Sequence, residues 1–220
     1  MVTRVLIAIN VLVYIVEVLN GDANGTGSFT AQGALFGPAV AAGEWWRVIT
    51  SAFLHAGISH IAFNMFALFV IGRDVELLYG HVRMAIIYAF GIAGSGISVL
   101  LFSFTIGTVG ASGAIFALFG AVLAAGLQLG KPGRQMVQQT GGVIIVNLLL
   151  GFTLFSGIVS NAAHIGGLVT GVVIGFALFM GTRKAMFTRV IPAAPVITEG
   201  GVYEPATDAA APLPPHPPEP

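Results

Sequence analysis

The chain has 220 residues, of which 56% are hydrophobic and only 8% charged, and its mean hydropathy is +0.92. A soluble domain carries about 25% charged residues, so this composition requires an integral membrane protein. Nine cations balance nine carboxylates, no basic patch points to nucleic acid, and the absence of cysteine excludes a thiol nucleophile, a thiolate metal ligand and a disulfide.

Six apolar runs reach or approach the length that crosses a hydrocarbon core, about 20 residues with some latitude. They cover 5–19, 58–78, 82–104, 112–129, 141–155 and 161–180. The first and fifth are short. The first has a signal-peptide alternative with Arg4 as its charged flank, but Asn10 and Glu17 interrupt it and no small-residue cleavage site follows at once. The fold class is all-α, a polytopic bundle of six transmembrane helices forming a membrane domain over residues 1–189.

With six spans and the amino terminus inside, the cytoplasmic segments hold Arg4, Arg73, Arg83, Lys131, Arg134, Arg183, Lys184 and Arg189, and only Arg47 falls outside. That is the bias of the positive-inside rule, and it puts both termini in the cytoplasm. The longest break between spans, about 20–57, then faces outward. Loops of this length without structure of their own are uncommon. Trp45 and Trp46 beside Arg47 suggest an interfacial anchor, so the loop either lies partly in the membrane surface or serves as a tether. Residues 190–220 hold all of the eleven prolines except Pro38 and Pro132, which reads as an extended, disordered tail.

Spans two, four and six begin on the external side. His60 and Asn64 open span two, Ser112 opens span four, and His164 lies one turn into span six. The topology alone therefore brings four polar groups to similar depth. His164, Gly167, Gly171 and Gly175 share one helical face. Gly113, Ala117, Gly120 and Ala124 make a smooth stripe on span four. Small residues at such spacing let membrane helices approach closely, and pressing the two stripes together sets His164 beside Ser112. Plainer readings exist for each residue. Ser112 is a good helix N-cap, His164 can bond between helices, and His60 with Asn64, four apart, can form a polar clamp. Ionisable groups inside a membrane are costly, however, and mark function.

These residues resemble the rhomboid family of intramembrane serine proteases. Gly110-Ala111-Ser112-Gly113 is similar to the family's GxSG nucleophile motif. Ala163-His164-Ile165-Gly166-Gly167 with Gly171 is similar to AHxxGxxxG. The stretch from His55 through His60 to Asn64 is similar to HxxxxHxxxN. Trp46-Arg47 resembles a pair in the family's large first loop, and Glu76 with Gly80 resembles ExxxG at the end of span two. One departure is Phe116, where the family often has a tyrosine packed under the imidazole. A phenyl ring can stack there but has no hydroxyl.

The resemblance implies a rhomboid-like bundle and an endopeptidase of serine type. Ser112 would be the nucleophile and His164 the base, with His60, Asn64 and the Ser112 N–H stabilising the oxyanion. His55, Gly110, Gly113, Phe116, Gly167 and Gly171 would support the site. No cofactor or metal is implied. The partners would be transmembrane protein substrates within the lipid bilayer, and the location a prokaryotic plasma membrane. None of the nine carboxylates falls in span four or six, and Glu17, Asp22 and Glu44 reach His164 only by unusual folding, so the expectation is a dyad rather than a triad. Water would enter near the polar runs 105–110 and 156–160. Other readings are an inactive client-binding scaffold and a small channel or transporter. His55, His60 and His164 make a poor metal set, because the five-residue spacing of the first two does not suit one helical face.

Overall fold

The computed structural model describes residues 1–153 and 160–190, with side chains to residue 180. Helices α1 (Val2–Leu19), α5 (Ile58–Tyr79), α6 (His81–Phe102), α7 (Ser112–Leu129), α8 (Arg134–Phe152) and α9 (Asn161–Val190) form the all-α bundle. Three short helices, α2 (Ser28–Gly33), α3 (Gly37–Ala41) and α4 (Arg47–Thr50), lie between α1 and α5. Among the described residues, five helices are each long and apolar enough to cross a membrane. The sixth span is α5, counted with Arg47–Phe53 as one element bent by 92°.

Two helix starts differ from the hydropathy reading. α1 begins at Val2 rather than residue 5 because Glu76 of α5 caps it. The Val2 and Thr3 N–H groups and the Thr3 hydroxyl all donate to that carboxylate. A helix N-terminus leaves such donors free and carries a positive dipole, so an acidic side chain from another helix completes it. Gly72 permits the approach, since a Cβ there would lie 2.9 Å from Thr3 Cγ2. α8 begins at Arg134, seven residues before the apolar run, because Arg134, Gln135, Gln138 and Gln139 make up most of its first two turns. These residues form helices well while scoring poorly for hydropathy. The end of that run beyond Thr153, part of the 156–160 segment and the tail from residue 191 lie outside the described residues.

The 20–57 segment is neither a loose tether nor featureless. Asp22 accepts the N–H groups of Gly27 and Thr30 and sets the start of α2. Arg47, expected with the tryptophans as an interfacial anchor, instead turns inward. Its Nη1 donates to the carbonyls of Ala31 and Ala34 at 2.6 and 2.9 Å, and its Nε donates to Glu44. A guanidinium thus satisfies the carbonyls freed at the end of α2. Trp45 and Trp46 remain exposed. The segment is stitched to the chain that enters α7. Leu35 and Thr108 exchange two backbone bonds, Gly37 N–H donates to Phe104, and Gly110 N–H donates to Ser51.

α7 is the central helix. Ala114, Ala117, Leu118, Ala121, Ala124 and Ala125 are all buried. It packs on α5, α6 and α8. Its contact with α9 is backbone on backbone: a Cβ at Gly167 would lie 1.9 Å from the Gly113 carbonyl, and one at Gly171 would lie 1.9 Å from the Ala117 carbonyl. Gly120 meets the Leu168 carbonyl in the same way. The two small-residue stripes therefore face each other along the helices. The Tyr79 hydroxyl bridges the pair by donating to Ala121 and Gly175 carbonyls at 2.7 and 3.2 Å.

Adding a methyl at Gly171 forces α7 and α9 apart, whereas a Cβ at Gly142 of α8 meets nothing within 4 Å. Gly171→Ala should therefore destabilise by about 1–3 kcal/mol, and Gly142→Ala should not, as read by thermal unfolding in detergent. For Asp22, burial pushes the carboxyl up, but the Thr30 and Gly27 N–H groups outweigh it and hold the pKa below the usual range. A depressed pKa contributes stability that is complete above the unfolded value of about 3.9 and is lost as pH falls through the folded value. Asp22→Asn should flatten the acid limb of the melting temperature below about pH 4.

Candidate active site

The chain reaches Ser112 through Gly110, whose φ is +121°, a conformation L side chains rarely adopt. A Cβ there would also lie 2.7 Å from His60 Nε2. Glycine is thus required both by the turn and by the ring beside it. The turn places Ser112 as the first residue of α7, with Ala111 in the capping position and no side-chain cap bond. The Ser112 hydroxyl is therefore not used as an N-cap. Its Oγ lies 2.9 Å from Nε2 of His164, in the first turn of α9.

His164 is buried, and its ring is held by packing. Phe116 lies four residues after Ser112 on the same face of α7 and stacks on the imidazole, with ring centroids 4.1 Å apart and planes within 7°. Nδ1 of His164 has no hydrogen-bond partner among the described residues. No carboxylate among the described residues orients the ring, so its direction depends on the phenyl face and the glycine contacts of α9.

Two further side chains converge near Gly110. A Cβ on Gly110 would lie 2.7 Å from His60 Nε2 and 3.7 Å from Asn64 Nδ2. His60 Nδ1 accepts the Ala56 N–H at 3.2 Å. A neutral imidazole that accepts at Nδ1 carries its proton on Nε2, so His60 presents an N–H donor. Asn64, buried one turn below, presents its amide N–H beside it. The Ser112 N–H adds to the free donors at the start of α7.

His55 stands apart from this group. It is fully buried, its ring meets His60 edge-on at 5.2 Å, and its Nδ1 donates to the Phe53 carbonyl at 3.2 Å. Gly113, Gly167 and Gly171 act through the close helix approach described above. A small cavity opens beside Ser112, lined by Ser51, Ser95, Thr108, Gly110 and Ala163. The 105–110 run, expected to admit water, forms part of its wall. Glu17 is the residue that the sequence reading did not place. It sits against the His55 amide, not against His164.

Comparison with known proteins adds a family to this geometry. The profile of the Rhomboid domain matches residues 42–181, well over half the chain. The chain belongs to the rhomboid family. It is 38% identical over 197 residues to Rhomboid protease GluP of Bacillus subtilis (strain 168), covering 87% of this chain and 37% of that one. It is 40% identical over 141 residues to RHOMBOID-like protein 6, mitochondrial, of Arabidopsis thaliana, covering 62% of this chain and 45% of that one. It is 32% identical over 214 residues to Rhomboid protease AarA of Providencia stuartii, covering 83% and 74%. The chain thus spans less than half the length of the first two relatives.

The stacked ring gives a direct prediction. Phe116→Ala should free the His164 imidazole and slow fluorophosphonate labelling of Ser112 by about ten- to a hundredfold, the scale of a small misplacement of a reacting group. Phe116→Tyr should label at close to the wild-type rate. Unchanged labelling in Phe116→Ala would remove the stack as the orienting contact.

Proposed function

We propose that this protein is an intramembrane serine protease that cuts transmembrane proteins near the external membrane face by a Ser112–His164 dyad. The observation that carries the reading is the 2.9 Å contact between Ser112 Oγ and His164 Nε2 inside an apolar bundle. Two relatives named rhomboid proteases, GluP and AarA, support it.

In this reading His164 Nε2 takes the hydroxyl proton as Ser112 Oγ attacks the substrate carbonyl. The tetrahedral intermediate places its oxyanion toward His60 Nε2–H, Asn64 Nδ2–H and the Ser112 N–H, at the positive end of α7. The carbon–nitrogen bond then breaks, and His164 returns the proton to the leaving amine. Water from the cavity beside Ser112 attacks the acyl-enzyme, His164 taking its proton and passing it to Ser112 as the serine leaves. Backbone inside a helix is hydrogen-bonded and inaccessible, so substrates with small or helix-weakening residues at the cut are favoured.

The cation distribution supports cytoplasmic termini, and the same reading includes a prokaryotic plasma-membrane location, a membrane domain over 1–189 and a proline-rich tail beyond it. Coexpression with a transmembrane reporter tests the activity. Ser112→Ala and His164→Ala should each reduce cleavage to background while the protein still inserts and folds. Wild-type cleavage in Ser112→Ala would remove Ser112 as nucleophile.

A further inference from the structure

Glu17 lies in the last turn of α1, where the negative end of the helix dipole disfavours an anion, and its side chain is fully buried. A carboxylate in such a place is tolerated only when its oxygens are bonded. Three donor contacts meet it. The His55 N–H lies 3.2 Å from each oxygen, and the Thr30 hydroxyl lies 3.0 Å from Oε1. None of these contacts involves Ser112 or His164.

The next amide along the chain connects Glu17 to the site. The Ala56 N–H donates to His60 Nδ1, and that bond places the His60 proton on Nε2, next to Gly110. His55 and Ala56 sit in a turn that ends at Gly57, with φ +110° and nothing within 4 Å of a Cβ. The turn is held at its first amide by Glu17 and at its back by Gly25, where a Cβ would lie 2.7 Å from Ala56 Cα and 3.2 Å from the His55 carbonyl. The His55 ring, fixed to the Phe53 carbonyl and edge-on to His60, forms the other side of the same turn.

We propose that Glu17 is a positioning residue for His60: by clamping the His55 amide it keeps the Ala56 N–H on His60 Nδ1 and so holds the ring in the tautomer that donates from Nε2. This rests on the reading of His60 as an oxyanion donor. Without the clamp the Ala56 amide drifts, the proton can move to Nδ1, and Nε2 becomes an acceptor facing a developing negative charge. Complete loss of one such donor costs about 10²–10³ in turnover, and a partial shift of tautomer costs a fraction of that.

The test uses the full chain in lipid, with Glu17→Ala and Glu17→Gln made in the wild-type and His60→Ala backgrounds. Glu17→Ala should lower kcat about tenfold with KM nearly unchanged. In the His60→Ala background the same change should add less than about twofold, because the two act through one interaction. Glu17→Gln keeps a carbonyl oxygen for the His55 amide and should recover most of the turnover. Nitrogen-15 spectra of selectively labelled histidine read the tautomer without any substrate. The His60 proton should sit on Nε2 in the wild type and be shared with Nδ1 in Glu17→Ala. Equal losses in both backgrounds, a loss confined to KM, or an unchanged His60 tautomer overturns the proposal. If Glu17→Ala fails to fold, Glu17→Gln decides by the same two comparisons, since a small kcat loss must still vanish in His60→Ala. A wild-type protein that cleaves nothing while its His60 tautomer still responds to Glu17 rejects the protease reading and leaves the positioning role standing.

Discussion

The contact on which the rest depends is the backbone-to-backbone approach of α7 and α9. Gly167 against the Gly113 carbonyl and Gly171 against the Ala117 carbonyl leave no room for a side chain. In lipid, apolar side chains gain nothing by leaving the solvent, so close packing and polar contacts carry helix association. The glycines maximise that packing. They also bring the start of α7 to the first turn of α9, which is where Ser112 and His164 meet. One feature thus stabilises the bundle and sets the distance between the two side chains.

Around that axis the site is oriented without charge pairing. His164 has a phenyl face beneath it and no carboxylate partner among the described residues. His60 takes its proton position from a backbone amide rather than from an acid. Such arrangements suit a bundle interior, where an unpaired charge is expensive and packing together with neutral hydrogen bonds can fix a ring at lower cost. Glu17, a buried carboxylate near this group, is used for backbone geometry and lies one amide away from the ring it influences.

Much of this was legible in the sequence for physical reasons. Apolar length marked the spans. The spacing of Gly167, Gly171 and Gly175 marked the face of α9 that touches α7, while the place of Phe116 under the imidazole came from the family resemblance. Contacts between distant residues left no local trace. Arg47 reaches carbonyls 13 and 16 residues away, Glu76 caps a helix 73 residues earlier, and Leu35 pairs with Thr108. Each is a single side chain or amide meeting a backbone group, with no periodicity to announce it. That is why 20–57 read as a loop and why Glu17 looked like an interruption of an apolar run. The early start of α8 was hidden for another reason, since hydropathy does not register a polar helical turn.

The most direct measurement is an experimental structure of the protein in lipid after reaction with a fluorophosphonate. A Ser112–His164 dyad with its oxyanion toward His60 and Asn64 predicts phosphorus bonded to Ser112 Oγ, His164 Nε2 beside that oxygen, and the phosphoryl oxygen within hydrogen-bond distance of His60 Nε2 and Asn64 Nδ2. An adduct on another residue, or a phosphoryl oxygen turned away from both donors, would contradict it.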